Sequence, residues 1–416
     1  MKKYDTYKDS GIEWIGMIPE YWKCLPMKRG LTINNGKDYK DVQSEEGYPV
    51  IGSGGPFAYA KEFLYDGEAV LLGRKGTINK PIYINTKFWT VDTMFYAVPS
   101  KNVCCKYMYY QALTIPFGLY STNTALPSMT QSELANNPMC FPPLSEQQAI
   151  ASYLDHKAGQ IDASISAIDK QIEDLKAYRM SVISEAVTKG LNPNAPMKDS
   201  GIDWIGEIPE GWEVTNLGWA YPNMGSGTTP DTNNLLYYVD EGYNWLQTGD
   251  LTDGATVSTS KHLSQIAVEE KKMKFYPIGS IVIAMYGATI GKVGYLEIET
   301  STNQACCVLP PQTNMENKFM FYMLQASKTI LISKSVGGGQ PNISQAIIQK
   351  HRIPSPSKEE QIFIATYLDK KTLQIDTTIS SFETLREDLN ALKQSIISEA
   401  VTGKIDVRDW KPNNEQ

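Results

Sequence analysis

Residues 8–22 read KDSGIEWIGMIPEYW, and residues 198–212 read KDSGIDWIGEIPEGW. A stretch this long, returning almost unchanged in the second half, makes the chain a tandem duplication, and that decides the architecture. A second repeat lies further along each half: SVISEAVT at 181–188 returns as SIISEAVT at 395–402. The upstream Glu146, Gln147, Tyr153, Leu154 and Asp155 return in the same register as Glu360, Gln361, Tyr367, Leu368 and Asp369. Each half therefore reads as a short lead motif, a variable domain and a long closing segment.

The closing segments carry the clearest periodicity. In the first, Leu154, Ala158, Ile161, Ile165, Ile168, Ile172, Leu175, Arg179, Val182 and Ala186 advance by alternating steps of four and three, the a/d pattern of a coiled coil. In the second, Leu368, Thr372, Ile375, Ile379, Phe382, Arg386, Leu389, Lys393, Ile396 and Ala400 do the same. Each predicts a helix of about 45 residues, roughly 65–70 Å long. Ser145 with Gln148 and Ser357 with Glu360 resemble capping boxes, and Gly190 and Gly403 follow the last turns. The seam residues expected to pair the helices are Ile161, Ile165, Ile168, Ile172, Leu175 and Val182 with Ile375, Ile379, Phe382, Leu389 and Ile396. Arg179, Arg386 and Lys393 interrupt that seam, where local irregularity or contact with a partner's acids is expected. Two such helices, each following its own domain, are expected to pair antiparallel under a pseudo-two-fold axis. They would then act as a ruler between two duplex half-sites roughly one helical turn apart. A helix hairpin that merely stabilises the chain is the plainer reading of the same stripes.

The chain has 416 residues, 42% of them hydrophobic and 20% charged, enough for two or more cores. No apolar run of about 18 residues, the length a membrane span needs, appears. Met1 to Ser10 is polar, so neither a signal peptide nor a membrane span is expected, and the protein is expected to be cytoplasmic. Cys24, Cys104, Cys105, Cys140, Cys306 and Cys307 show no C-x-x-C spacing and read as reduced, packed thiols rather than a zinc site. A net charge of −7 sits awkwardly with nucleic-acid binding. The acid excess, however, lies outside the variable domains: residues 23–141 carry 12 Lys and Arg against 9 Asp and Glu, and residues 213–353 carry 10 against 11. The first could bind a duplex unaided; the second would need clustered bases or a basic partner.

Within the variable domains, AVLLG (69–73), PIYI (81–84), SIVIAMYG (280–287) and ACCVLP (305–310) read as strands, with helices near Lys106–Leu113 and Lys318–Ser327, a mixed α/β pattern. Loops rich in Gly, Lys, Arg, Thr, Asn and Gln separate them: GSGGPF (52–57), GRKGTINK (73–80), LQTGDL (246–251), MYGATIGK (285–292), STNQA (301–305) and GGGQPNIS (337–344). Such residues donate to phosphates and base edges, and Arg74 can grip guanine with two hydrogen bonds; equally, the glycines can serve only as turns and the amides as caps.

Catalytic constellations are scarce. With His156, His262 and His351 alone, no nucleophilic triad or three-histidine metal site is suggested. MYGATIGKV is one residue short of a phosphate-binding loop and lacks its Ser/Thr, and Asn137 and Pro138 in NNPM lack the rest of an amino-methyltransferase motif. No chemistry is assigned to the chain.

The two lead motifs, YPVIGSGG, YDGEAVLLGRKGTI, TTPDTNN…YNWLQTGDL, MYGATIGKVG…STNQACCVL, GGGQPNIS and the EQ…YLD…SVISEAVT helices together resemble type I restriction–modification specificity subunits over nearly the full length. The resemblance implies a non-enzymatic chain of two mixed α/β target-recognition domains reading a bipartite, gapped, asymmetric DNA site. Paired helices would dock two methyltransferase subunits, with restriction/translocase subunits joining the larger complex. S-adenosylmethionine, Mg and ATP then belong to partners. The implied boundaries are 1–141 for the first recognition domain with its lead motif, 142–190 for spacer helix 1, 191–353 for the second domain with linker and repeated motif, 354–404 for spacer helix 2 and 405–416 for a tail.

The family pattern points to Gly52, Ser53, Arg74, Lys75 and Thr77 as DNA-binding in the first domain. In the second it points to Gln247, Thr248, Tyr286, Thr289, Lys292, Asn303, Gln304, Gln340 and Asn342. The first domain departs from the Gln-Pro-Asn pattern, with Leu126, Pro127 and Ser128 in its place. A targeting subunit of another multisubunit modification–cleavage system shares this logic, and a coiled-coil scaffold without base readout is the rival of a different class.

Overall fold

Each lead motif folds as a small antiparallel hairpin, Tyr7–Asp9 with Met17–Pro19 in one half and Met197–Ile202 with Gly206–Pro209 in the other. The shared DSG explains the shared turn. Asp9 accepts the Gly11 N–H at 2.9 Å and Asp199 accepts the Gly201 N–H at 2.8 Å. These are turns in which an Asp carboxylate bonds the backbone two residues on, and they leave Gly11 and Gly201 at positive φ. The protein is described here by a computed structural model covering residues 2–120, 127–336 and 341–411. The chain divides into two compact units, Met1–Lys170 with Glu383–Gln416, and Gln171–Phe382.

The first unit holds a seven-stranded sheet in the spatial order Leu31–Asn35, Met94–Pro99, Tyr65–Gly73, Ile82–Thr90, Tyr48–Gly52, Gly55–Ala60, Gln43–Ser44. Val50–Ile51 runs parallel to Trp89–Thr90, and the other pairings are antiparallel. Ala69 to Leu72 are fully buried: Val70 and Leu72 share a core with the helix Cys105–Ala112, while Ala69 and Leu71 pack on the other face with Ile51, Phe88 and Met94. The second unit has two five-stranded sheets. One runs Gly225–Ser226, Cys306–Leu309, Ile281–Ala284, Val293–Leu296, Ala255–Thr256; the other runs Tyr238–Val239, His262–Leu263, Tyr243–Leu246, Thr300–Thr302, Phe275–Tyr276. The helix Asn317–Ala326 packs on Val293–Leu296, so both units are mixed α/β.

The two long helices are Leu144–Lys189 and Lys358–Val401, of 46 and 44 residues. Residues 144–170 and 383–401 belong to the first unit, 171–189 and 358–382 to the second. Within each unit the repeated residues do the same work. Gln147 donates to Pro142 O and accepts the Cys104 N–H; Gln361 donates to Pro356 O and accepts the Glu316 N–H. Asp155 accepts Tyr110 Oη and pairs with Lys106; Asp369 accepts Tyr322 Oη and pairs with Lys318. The EQ and YLD elements thus clamp each long helix to the short helix of the domain before it.

The SEAVT ends meet the lead motifs. Ile397, Ala400 and Val401 share a core with Ile18 and Trp22; Ile183, Ala186 and Val187 share one with Ile208 and Trp212. Each lead motif therefore packs against the closing helix of the opposite half, and in the first unit Asp406 N–H donates to Lys2 O.

Three expectations are corrected. The first helix starts at Leu144 with Glu146 and Gln147 N–H groups bonding Pro143 O, so Ser145 lies inside the helix and caps nothing. Proline's preset backbone makes the start. The Ser357 cap on Glu360 N–H does form, at 3.3 Å. In the last turns Ile183 and Val187 of one helix and Ile397 and Ala400 of the other are fully buried, while Val182 and Ile396 are half-buried, because there the helices face a domain core as well as each other. Finally, the cations in the seam bind acids of this same chain. Arg179 forks onto Asp376 at 2.8 and 3.2 Å, Lys393 bonds Asp162 at 2.7 Å, and Arg386 bonds Asp169 at 3.1 Å. In the register that carries SVISEAVT onto SIISEAVT, Arg179 falls on Lys393 and Asp162 on Asp376. The first two pairs are therefore one pair repeated, once in each unit, and they fix the antiparallel register of both. Elsewhere along the seam Ile161, Ile168, Ile172, Ile375 and Ile379 are buried, and Ile165, Leu175, Phe382 and Leu389 half-buried.

Candidate nucleic-acid interface

The GRKGTINK loop leaves the strand Tyr65–Gly73 through a tight turn in which a Cβ on Gly73 would lie 2.5 Å from Thr77 O, an approach that only glycine tolerates. Buried Ile78 anchors its far side, while Arg74, Lys75 and Thr77 reach the surface. Backbone bonds hold the loop between two neighbours: Arg74 N–H donates to Thr93 O, Met129 N–H to Arg74 O, and Gly76 N–H to Pro127 O, with Lys75 bridging Ser128. Arg74 Cζ lies 5.8 Å from the centre of the Phe95 ring and its Nη1 donates to Asp92 O at 3.4 Å. Around it is an open cavity of about 280 Å³ lined by Asn35, Arg74, Lys75, Phe95, Ser128, Met129, Thr130 and Gln131. Gly52 is buried and Ser53 half-buried at the hairpin before Gly55–Ala60; Val91 N–H donates to Ile51 O, so this hairpin flanks the same 91–93 turn that holds Arg74.

The second unit repeats the framework with other side chains. Met285 N–H donates to Ala305 O and Ile343 N–H to Met285 O, while Tyr286 bridges Asn342. Met285 thus stands where Arg74 stands and Tyr286 where Lys75 stands, with Gly76 and Gly287 next at φ +81 and +84. Asn303 N–H donates to Leu246 O, so the Gln247–Thr248 loop joins the same rim. Asp250 fixes that loop by accepting the Gln247 N–H at 2.8 Å and the Ser260 N–H at 3.2 Å. Thr289 and Lys292 lie in the hairpin between Ile281–Ala284 and Val293–Leu296, where Lys292 N–H bonds Thr289 O. Gln304 and Asn342 are exposed, and Gln247, Thr248, Tyr286, Thr289, Lys292 and Asn303 are half-buried. Gln340 lies outside the described residues, as does Leu126.

Sequence reasoning passed over Asn35, Phe95 and Gln131, which come from three separate segments. One signal marked Gln131: the T-Q-S-E run is a formed capping box, Thr130 Oγ1 accepting Glu133 N–H and Glu133 accepting Thr130 N–H. These bonds hold the Glu133 carboxyl below its ordinary range, chiefly through the Thr130 backbone. In the second unit Met285 and Asp250 lie inside the quoted MYGATIGK and LQTGDL runs, but nothing in those runs marks them out from their neighbours.

The histidines lie apart from these rims. His156 packs on Trp410, His262 is in a sheet strand, and His351 is buried, stacked on Trp204, with burial pushing it down to about 4. Among the described residues no group of three or more His, Cys, Asp or Glu is placed to hold a metal ion, and no helix is long and apolar enough to cross a membrane.

Comparison with known proteins places these rims in context. The type I restriction modification DNA specificity domain matches residues 26–174 and again 209–383. An MjaX specificity subunit of a type I restriction enzyme from Methanocaldococcus jannaschii is 30% identical over 289 residues, covering 68% of this chain; the chain spans 62% of that relative's length. The MjaVIII specificity subunit of the same organism is 26% identical over 83% of this chain and 79% of its own, and the Escherichia coli EcoBI specificity subunit 22% identical over 98% and 90%. A chain solved in work on assembly and conformational transition of the type I R-M system shares the fold with a TM-score of 0.71, at 17% identity, over 93% of this chain and 99% of its own.

Proposed function

The chain belongs to the type I restriction–modification DNA specificity family, and from that premise we propose that it is the sequence-reading subunit of such a complex. Two target-recognition domains, 1–141 and 191–353, each read one half of a split duplex site, while the long helices, within 142–190 and 354–404, set the unread gap between the halves. The observation that carries the reading is the duplicated loop framework with exchanged side chains: exposed Arg74 and Lys75 in one domain, and in the other a Met285 that turns into the core beside half-buried Tyr286. One backbone scaffold with different chemistry at its rim is what an asymmetric site requires. Arg74, braced by Phe95 and Asp92 O, presents a preset fork suited to guanine O6 and N7. The rim of the second domain offers amides and a phenol instead, suited to adenine edges and thymine methyls.

The chain has no catalytic role of its own. Two methyltransferase subunits dock on it and restriction/translocase subunits join through the complex; S-adenosylmethionine, Mg and ATP are bound by those partners, and the assembly works on double-stranded DNA in the cytoplasm. Basic partners supply the phosphate neutralisation that a net charge of −7 cannot. Mapping methylated bases across the host genome tests this. The expected result is one gapped, non-palindromic motif that disappears when the gene is deleted, and a continuous palindrome would contradict the reading.

A further inference from the structure

We propose that Cys24 and Cys140 form a reversible disulfide, making the strand pair at the base of the first long helix a site of oxidative modification. Lys23–Pro26 pairs antiparallel with Pro138–Phe141, and Cys24 lies directly opposite Cys140 with the sulfurs 3.5 Å apart. The ladder makes this a non-hydrogen-bonded pair, the kind in which opposed side chains come closest. Two observations establish that. Pro26 and Pro138 face each other two positions away, on the same phase of the ladder, and neither has an N–H to give. The Cys140 backbone points the other way: its N–H donates to Gln111 Oε1 at 2.8 Å, and its carbonyl accepts Gln111 Nε2 and Tyr107 Oη. The Cα atoms of such a pair, about 4.5 Å apart, lie inside the range a disulfide spans.

The duplication supplies a control. The equivalent strands of the second unit, Glu213–Asn216 and Arg352–Ser355, place Val214 opposite Pro354 at the same register, so the packing there needs no thiol. Cys24 is half-exposed and Cys140 buried, a division that suits an attacking and a resolving sulfur. The hydrogen bond between the two sulfurs draws the Cys24 thiol below its ordinary pKa and raises Cys140, whereas burial pushes Cys105 and Cys307 up to about 12. The thiolate is the reactive form, so the lowered thiol is the one that reacts first. With a hydroperoxide as oxidant, the Cys24 thiolate attacks the peroxide oxygen, the O–O bond breaks, and Cys24 sulfenic acid forms with loss of hydroxide, which is protonated to water. The Cys140 sulfur then attacks the Cys24 sulfur, the S–OH bond breaks, and a second water leaves with the thiol proton. The net change is two thiols oxidised and one peroxide reduced to two waters, and a dithiol reverses it. The link ties the strand after the first lead motif to the strand that leads into Leu144–Lys189.

The purified full-length chain, treated with hydrogen peroxide, quenched, alkylated after denaturation and weighed intact, tests this. The expected result is loss of two hydrogens with four alkylatable thiols left of six, and a tryptic cross-link joining residues 24–28 to residues 107–157 that dithiothreitol releases. Cys24→Val, copying the second unit, should abolish it and Cys104→Ser should not. Six alkylatable thiols after treatment, a link through other cysteines, or Cys24 carried to the sulfinic acid with Cys140 still free would overturn the proposal. Each of these is read on the wild-type chain, whatever the variants do to folding.

Discussion

Arg74 is held by its neighbours before any ligand arrives. Its backbone is bonded on both sides, to Thr93 O and from Met129 N–H, and its guanidinium is over Phe95. Little ordering entropy then remains to oppose a bidentate contact. Arg74→Ala in a complex containing the methyltransferase is expected to weaken specific binding by about 1–3 kcal/mol and to relax selection at one base pair. Arg74→Lys, which keeps the charge and loses the fork, should restore affinity but not selectivity, and binding to a panel of single-base variants reads both. Unchanged affinity and selectivity in the alanine variant would remove Arg74 from the interface. His351 presents the opposite case, a titratable group with no functional surroundings. Neither ring nitrogen has a partner among the described residues, the residue is 1% exposed, and desolvation first, then Lys334, holds its pKa at about 4. The unfolded chain binds that proton near about pH 6.5. The stability contributed by the neutral folded ring is therefore complete above about pH 6.5 and is lost as pH falls toward about 4, at most ~1.4 kcal/mol per pH step of one. His351→Phe keeps the stack on Trp204 and removes the proton site. Its melting temperature should match or exceed that of the wild type at neutral pH, with a shallower fall on mild acidification; parallel pH profiles for the two proteins would contradict the assignment.

At the scale of elements, the ends of the long helices matter more than their middles. Gly403 closes the second helix at φ +71, and a Cβ there would lie 2.4 Å from Pro19 Cδ, whereas Gly16, in the lead hairpin at φ +69, faces open space. Gly16→Ala should therefore cost only the backbone strain, about 1 kcal/mol, and Gly403→Ala that strain plus displacement of the lead motif, about 2–4 kcal/mol. Urea titration of both variants checks the order, and equal losses would show that the lead motif yields freely. The helices were legible because a seam of Ile161, Ile168, Ile375 and Ile379 obeys one period over many turns, and the duplication was legible because lead motif and SEAVT survive nearly unaltered. Which end meets which motif was not: Trp22 packing with Val401 spans almost the whole chain, and no local pattern encodes a contact so remote. The recognition rims were half legible for the same reason. GRKGTINK announces itself by composition, but Asn35, Phe95 and Gln131 reach the cavity from separate strands and a helix start. Met285, the backbone counterpart of Arg74, reads in sequence as a core residue and is buried as one.

At the scale of the molecule, the first unit cannot be completed by the first half of the chain. Its core unites Tyr4, Trp22 and Tyr107 with Ile397, Ala400, Val401, Ile405 and Val407, which arrive from the far end of the sequence. A fragment of residues 1–190 lacks that closing segment but carries its equivalent, since Ile183, Ala186 and Val187 hold in the second unit the places of Ile397, Ala400 and Val401. Two such fragments can exchange helix ends, each closing the other's lead motif. The seam charges agree, because Arg179 occupies in the repeat the place of Lys393, whose partner is Asp162; Arg179 of one copy would therefore face Asp162 of the other. Fragment 1–190 is expected to be a dimer that dissociates and unfolds in one transition, its melting temperature rising with concentration. Ile183→Asp with Val187→Asp, placing two charges where full burial contributes about 1.5–3 kcal/mol per side chain, should leave an unfolded monomer. Light scattering coupled to gel filtration distinguishes the outcomes: a folded monomer at micromolar concentration would mean that the lead motif needs no closing helix, and the reciprocal packing of the two halves would lose its energetic basis.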